Sequence, residues 1–413
     1  MTTRRLAFVD LDLTLFDYTT VRAEATNLAL EAMGIADTGK AADFIDSVLV
    51  PNGDVLTELE LPNFRRAWKA PELFALVYAM ARDGAVQEHL ARLVPSPAET
   101  DRSFEGRLRR RKIVLEEARR LGIHDISARV RAILESDAQS IERALSVFDQ
   151  YLWSHVHELP GAGELLDTLE ARGFESYVVS EGDEQIQQGK IELLASGERL
   201  MGNFITGACC RSDELLAQLW SLGVEIADVR DAAGVLYDAV LPYAIKTSTF
   251  FRKLLQTLLL PPEEQGDFFR EFRWLTAEQI ASKPKVVLVV IGDRYDKDVL
   301  PAVQAFGNAA GIRVTFGKYS AMYDRATLEK MGLPAPAATV GTLREAADTF
   351  RSWDVVPSVD KARIVAPPCP ASQQRRIENA IDRLRGHVSA ATTAALERLA
   401  ESCSDGGIAD GRP

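Results

Sequence analysis

Three short apolar runs that each lead into a polar residue constrain the fold of this chain more than any other feature of its sequence. The runs cover residues 6–9, 174–179 and 285–291, and the polar residues beyond them are Asp10, Ser180 and Asp293. Apolar runs of this length are typical of strands that a parallel sheet buries on both faces. Because the carboxyl ends of parallel strands meet at one edge of a sheet, we expect the three polar side chains to converge on one crevice.

Strand and helix patterns alternate along the second half of the chain. Further strand candidates lie at residues 204–206, 312–316 and 338–340, and helical patterns separate them. Alternation of this kind indicates a parallel sheet that helices cover on both faces. The sequence therefore predicts an α/β fold with a Rossmann-like parallel sheet.

A long, almost wholly helical segment, residues 19–157, separates the first strand from the second. We interpret it as an all-helical cap domain inserted into a catalytic core formed by residues 1–18 and 158–350. Residues 351–413 form a C-terminal extension, for which we expect one helix over residues 373–401 and a disordered tail. The helix carries an aliphatic stripe that could pack against the core or form a homodimer contact.

Composition limits the classes of partner and compartment. The chain of 413 residues has a net charge of −12, which argues against a nucleic-acid scaffold and against binding to anionic membrane surfaces. No apolar run approaches the roughly 20 residues that a membrane-spanning helix needs. Its four cysteines are irregularly spaced, which is typical of a reduced, cytoplasmic protein.

Four motifs occur in a fixed order along the chain. They are DLDLTL at residues 10–15, YVVSEGD at 177–183, PYAIKTSTFFRKLL at 242–255 and VVLVVIGDRYDKD at 286–298. Any one of them alone has an ordinary structural explanation, since acids or serines after a strand often cap a helix or occupy a turn. Together they resemble the motifs of the haloacid dehalogenase-like hydrolase superfamily, over about residues 1–18 and 158–345.

The resemblance implies a role for each acid of the first motif. Asp10 would be the nucleophile that becomes an aspartyl phosphate, and Asp12 would protonate the leaving oxygen and then activate water. A covalent intermediate divides a very slow hydrolysis into two easier steps. Members of the dehalogenase branch lack the second aspartate, so Asp12 favours phosphoryl chemistry.

The resemblance also implies the residues that contact the phosphoryl group, namely Thr14, Ser180 and Lys246. The lysine would neutralise charge on the nucleophile and the phosphate. Two more lysines stay open for this role, with Lys253 second and Lys190 third. The separations between the motifs on either side of Lys246 are longer than in compact members of the superfamily.

Magnesium is the cofactor that the resemblance implies, since it is a hard ion that prefers oxygen ligands. The ligands would come from Asp10, from the backbone carbonyl of Asp12, and from Asp293 with support from Asp298. Asp296 competes with Asp298 for the last position, because both spacings occur in the superfamily.

These inferences converge on a magnesium-dependent phosphohydrolase that acts on a small phosphorylated metabolite or nucleotide. Two different functions remain open on the sequence alone. One is that of a phosphomutase or phosphotransferase that uses the same residues. The second is that of a non-catalytic regulator that binds a phosphorylated ligand on the same scaffold.

Overall fold

The computed structural model describes part of the chain in detail. The described residues are 3–17, 19–35, 74, 77–78, 81, 128, 132–133, 135–181, 184–206, 246, 248–270, 274–316, 324–330, 332–365, 378, 381–382, 390, 393–394 and 397. The contacts divide the chain into two compact units. The first comprises Met1–Thr14, Pro160–Val314 and Pro336–Pro413, and the second comprises Leu15–Leu159 and Thr315–Ala335.

The strands are β1 (Thr3–Val9), β2 (Phe16–Asp17), β3 (His157–Glu158), β4 (Glu175–Glu181), β5 (Leu200–Thr206), β6 (Lys285–Gly292), β7 (Ala310–Val314) and β8 (Ala338–Val340). The α-helices are α1 (Thr19–Ala32), α2 (Ala138–His155), α3 (Ala162–Ala171), α4 (Glu184–Leu193), α5 (Ser248–Leu258), α6 (Pro262–Arg270), α7 (Ala277–Ser282), α8 (Leu300–Phe306), α9 (Arg325–Lys330) and α10 (Leu343–Ser352).

A six-stranded sheet forms the centre of the first unit. Its strand order is β5-β4-β1-β6-β7-β8, and every neighbouring pair is parallel. At the carboxyl end of β1, Val9 pairs with Val178 of β4 and with Ile291 of β6. This register brings the residues that follow the three strands to the same edge of the sheet.

Helices cover both faces of this sheet. On one face the apolar side of α5 packs on β1 and β6, and the ring of Phe251 stacks on that of Phe8 at a centroid distance of 6.1 Å. On the other face α3 packs beside α10, and the ring of Phe350 contacts that of Phe174 edge-on. The α/β class with a parallel sheet and helices on both faces, predicted from the sequence, is therefore confirmed.

The strand bounds differ from the sequence prediction mainly in length. Strand β4 continues through Ser180 to Glu181, because its ladder with β5 extends to the pair Glu181–Thr206. Ser180 therefore lies within the strand near its end, and does not follow it. Strand β7 ends at Val314, two residues earlier than predicted.

The second unit contains the helix pair α1 and α2, which pack along each other. A short antiparallel ladder joins β2 to β3, and the hydroxyl of Tyr151 donates a hydrogen bond to Glu24 at 2.7 Å.

Most of the predicted cap lies outside the described residues. The same is true of most of the predicted helix over residues 373–401 and of the tail that follows it. The domain boundaries inferred from the sequence remain a prediction. Within the described part of the chain, no helix combines the length and apolarity needed to cross a membrane.

Candidate active site

The centre of the candidate site lies where β1 and β6 end. The backbone N–H of Asp10 donates to the carbonyl of Ile291 at 2.9 Å, which continues the ladder one step beyond β1. Asp293 follows Gly292, the last residue of β6. Both carboxylates are buried. The ends of β1 and β6 therefore bring together two acidic side chains that have little contact with water.

Three carboxylates form a cluster at this point. Oxygen atoms of Asp10, Asp293 and Asp298 all lie within 4.8 Å of one another, and all three residues are buried. Asp298 comes from a single π-helical turn, Tyr295–Val299, that begins shortly after β6. A Cβ atom on Gly292 would lie 2.3 Å from the Cβ of Asp298, so a residue without a side chain is required beside the cluster.

Lys246 lies between two of these carboxylates. Its Nζ donates to Oδ1 of Asp10 at 2.5 Å and to Oδ1 of Asp298 at 2.6 Å. The backbone of Lys246 has φ of +55°, a conformation that side-chain-bearing residues rarely adopt and that costs on the order of 1–3 kcal/mol. The ammonium group thus links the end of β1 to the turn that follows β6.

Burial and mutual repulsion shape the electrostatics of the cluster. Burial raises the pKa of Asp10 to about 7, the carboxylate of Asp298 adds to this effect, and Lys246 opposes it. Burial and the carboxylates of Asp10 and Asp298 raise the pKa of Asp293 well above its usual range. Burial disfavours the ammonium of Lys246, but the carboxylates of Asp10 and Asp298 raise its pKa above the ordinary value. One lysine therefore compensates the repulsion among three carboxylates only in part.

The donor set of the cluster fits a divalent cation. Carboxylate oxygens are the ligands that Mg²⁺ prefers, and three of them converge here. In addition, Oδ2 of Asp293 is buried and has no hydrogen-bond partner within the structure as described. A buried carboxylate oxygen without a partner is costly, and a bound cation would satisfy it.

Thr14 connects two members of the cluster. Its hydroxyl donates to Oδ2 of Asp10 at 3.4 Å and accepts a hydrogen bond from the backbone N–H of Asp293 at 3.1 Å. A hydroxyl has only one hydrogen to donate, and here Asp10 receives it. Thr14 therefore supports the nucleophile candidate Asp10 directly, while the phosphate contact expected of it remains a prediction.

Asp12 lies outside the cluster and meets a different pair of side chains. Lys190 Nζ donates to Oδ1 of Asp12 at 2.6 Å, and Gln187 Nε2 donates to Oδ2 at 2.6 Å. Gln187 Nε2 also lies 2.9 Å from the hydroxyl oxygen of Ser180, which is buried near the end of β4. Ser180 and Asp12 are therefore joined through one amide.

Gln187 is absent from the four sequence motifs, and Lys190 ranks only third among the candidate lysines, yet the structure places both on Asp12. The two residues lie three positions apart on α4 and so share one helix face, but this spacing is too common to have identified them from the sequence.

Asp296 and Lys253, the competing candidates from the sequence, contact groups outside the acid cluster. Asp296 pairs with Arg294 at 2.6 Å, so Asp298 and not Asp296 joins the cluster. Lys253 is buried on α5, and its Nζ lies 5.5 Å from the centroid of the Trp274 ring. Lys246 is accordingly the lysine that contacts Asp10.

Glu181, the residue that follows Ser180, has a cationic partner. Its carboxylate pairs with Lys297 from the turn after β6. Burial alone would raise the pKa of Glu181, but Lys297, Lys246 and Arg294 outweigh it and lower that pKa. The acid therefore carries a charge that neighbouring cations balance.

Comparisons with known proteins give structural likeness only. No protein-family model and no curated protein matches the sequence. A haloacid dehalogenase-like family hydrolase from Xanthomonas campestris has 14% identity, with 84% of this chain and 95% of that chain covered and a TM-score of 0.37. A predicted phosphoglycolate phosphatase from Haemophilus somnus has 12% identity, with 84% and 99% covered and a TM-score of 0.34.

A third solved structure, assigned as a β-phosphoglucomutase from Thermotoga maritima, has 10% identity, with 85% of this chain and 99% of that chain covered and a TM-score of 0.38. Likeness at these scores determines neither activity nor substrate, and the fold class rests on the sheet of this chain itself.

Proposed function

We propose that this chain is a magnesium-dependent phosphohydrolase that transfers the phosphoryl group of a small phosphorylated substrate to Asp10 and then to water. The observation that carries the proposal is the buried network of Asp10, Lys246, Asp293 and Asp298 at the carboxyl ends of β1 and β6. Phosphoryl transfer through an aspartate requires a nucleophile at a strand end, a fixed cation and further carboxylates that can bind a metal ion.

Asp10, Asp293 and Asp298 would hold the magnesium ion, with the backbone carbonyl of Asp12 as a further ligand. When bound, the ion supplies positive charge that offsets repulsion between the acids and the phosphate. The raised pKa values of Asp10 and Asp293, which remain raised although Lys246 opposes them, support this part of the proposal.

Asp10 would attack the phosphorus atom with one carboxylate oxygen. Lys246 donates to one oxygen of that carboxylate and Thr14 donates to the other, and together they fix its orientation. As the bond from Asp10 to phosphorus forms, the bond from phosphorus to the leaving oxygen breaks, and Asp12 gives its proton to that oxygen. Asp12 would then take a proton from the water that releases phosphate and restores Asp10.

Phosphate release is the experiment that tests the proposal. The purified chain should hydrolyse p-nitrophenyl phosphate in the presence of Mg²⁺ and lose this activity in EDTA and in Asp10→Asn. Asp348→Asn is a matched control, because Asp348 is exposed and pairs only with Arg351 on α10 within the described structure. Activity that survives Asp10→Asn would refute the mechanism.

Measuring phosphoryl transfer and ligand binding alongside phosphate release separates hydrolysis from the two competing functions. Transfer to a second hydroxyl without free phosphate would support a phosphomutase or phosphotransferase. Tight binding of a phosphorylated ligand without turnover would support a regulator. The identity of the substrate is addressed by testing a panel of phosphorylated metabolites and nucleotides for phosphate release.

A further inference from the structure

Helix α4 presents two buried polar side chains to Asp12. Lys190 and Gln187 are 1% and 2% exposed, and between them they bind both carboxylate oxygens of Asp12 at 2.6 Å. The side chain of Asp12 is itself 32% exposed. A partly exposed carboxylate can adopt several rotamers. The contacts with Lys190 and Gln187 therefore restrict the Asp12 side chain, which burial alone does not hold in one rotamer.

The orientation of the Gln187 amide is set by the groups around its nitrogen. Nε2 lies within 3.3 Å of three acceptors, namely Oδ2 of Asp12, Oγ of Ser180 and the carbonyl of Glu181. Its oxygen, Oε1, is buried and has no hydrogen-bond partner in the structure as described. Leaving a buried acceptor unpaired costs about 1–3 kcal/mol. The opposite orientation would place that oxygen against the carboxylate of Asp12, so the contacts of the nitrogen determine the arrangement.

We propose that Gln187 and Lys190 are positioning residues that hold Asp12 where it can protonate the leaving oxygen. This inference rests on the proposed phosphohydrolase function and assigns a task to two residues that the four motifs do not include. Gln187 also joins Asp12 to Ser180, so the proton donor and the phosphate-contacting serine keep a fixed separation. Proton transfer requires heavy atoms within hydrogen-bond reach, and small displacements of a positioned group are costly in rate.

The proposal predicts an effect that depends on the leaving group. A leaving oxygen that is a stable anion departs without a proton, whereas a basic leaving oxygen needs the proton of Asp12 as its bond to phosphorus breaks. Loss of either positioning residue should therefore slow the hydrolysis of phenyl phosphate more than that of p-nitrophenyl phosphate. A residue that supports only the fold would slow both equally.

The test compares kcat/KM for these two substrates in Gln187→Leu and Lys190→Met. This parameter covers the steps up to departure of the leaving group, and the ratio of the two values in one preparation does not depend on the fraction of folded enzyme. We expect the ratio of p-nitrophenyl to phenyl phosphate to rise about 10-fold in each variant. Gln188→Leu is the matched control, since the neighbouring Gln188 bonds Asn203 and Glu192 and should leave the ratio unchanged.

Conservative variants give a second measurement. Lys190→Arg retains a cation that can reach Asp12, so its ratio should lie between the raised ratio of Lys190→Met and that of the unaltered protein. An unchanged ratio in both Gln187→Leu and Lys190→Met would overturn the proposal while leaving the phosphohydrolase function intact. Failure of the unaltered chain to release phosphate from either substrate would instead refute the function itself.

Discussion

Replacing Lys246 with methionine should destabilise the protein as well as inactivate it. Methionine has nearly the length of the lysine side chain but lacks its charge, so the variant leaves Asp10 and Asp298 without their shared cation. The side chains of Lys246, Asp10 and Asp298 are 5%, 8% and 3% exposed, and water therefore replaces little of the lost interaction. Removing one partner of a buried ion pair costs about 3–5 kcal/mol.

The assay is urea unfolding followed by circular dichroism at pH 8 in EDTA. The free energy of unfolding of Lys246→Met should be lower than that of the unaltered protein by about 3 kcal/mol or more. Magnesium should reduce this difference, because a bound cation compensates the same carboxylates. Activity measured with Mg²⁺ should fall by about two to three orders of magnitude, the usual effect of removing one group that stabilises transition-state charge.

Lys253→Met is the control, since Lys253 is another buried lysine but contacts the Trp274 ring instead of the acid cluster. It should retain catalytic activity. The reasoning is refuted if Lys246→Met unfolds within about 1 kcal/mol of the unaltered protein in EDTA, a difference expected of an exposed pair. Loss of activity in Lys253→Met with retention in Lys246→Met would exchange the roles of the two lysines.

Three further predictions follow from the same cluster. The pKa of Asp10 is raised from 3.8 to about 7, so the folded state holds a proton that the unfolded state releases. The free energy of unfolding in EDTA should therefore fall as pH rises from about 4 to 7, by an amount on the order of 4 kcal/mol, and urea unfolding of Asp10→Asn should show a smaller fall. Gly292→Ala would push Asp298 out of place, costing about 1–3 kcal/mol in urea unfolding, and calorimetry should detect weaker Mg²⁺ binding. Thr14→Val leaves the backbone N–H of Asp293 unpaired and should lower the free energy of unfolding by about 1–3 kcal/mol, whereas Thr14→Ser should not.

The sheet and the position of its acids could be predicted because both depend on local patterns. Apolar runs mark strands that are buried on both faces, and a polar residue after such a run lies at the edge of the sheet. Parallel pairing of β1 with β6 then brings Asp10 and Asp293 together without any information about loops. For this reason the proximity of Asp10 and Asp293 could be predicted from the sequence.

The choice between Asp296 and Asp298 depended on backbone geometry that spacing does not encode. A π-helical turn, which is rare, sets which acid of the segment YDKD points to the cluster. Lys246 was equally hard to place, because it precedes α5 in a left-handed backbone conformation and no strand register fixes its position.

The contacts of Asp12 with Gln187 and Lys190 depend on tertiary packing. A glutamine and a lysine three positions apart are common on exposed helix faces, so the pattern alone indicates nothing. The two side chains contact Asp12 only because α4 packs this face inward, where both are buried. Sequence reasoning could locate the acids but not the groups that hold one of them.

Detection of a phosphoryl group on Asp10 tests the central claim most directly. The protein would be mixed with Mg²⁺ and p-nitrophenyl phosphate, quenched in acid within one turnover, digested and examined by mass spectrometry. The proposed mechanism predicts that the peptide containing Asp10 gains the mass of one phosphoryl group, with the modification on that side chain and absent in Asp10→Asn. Turnover without modification of Asp10, or modification at another residue, would contradict it.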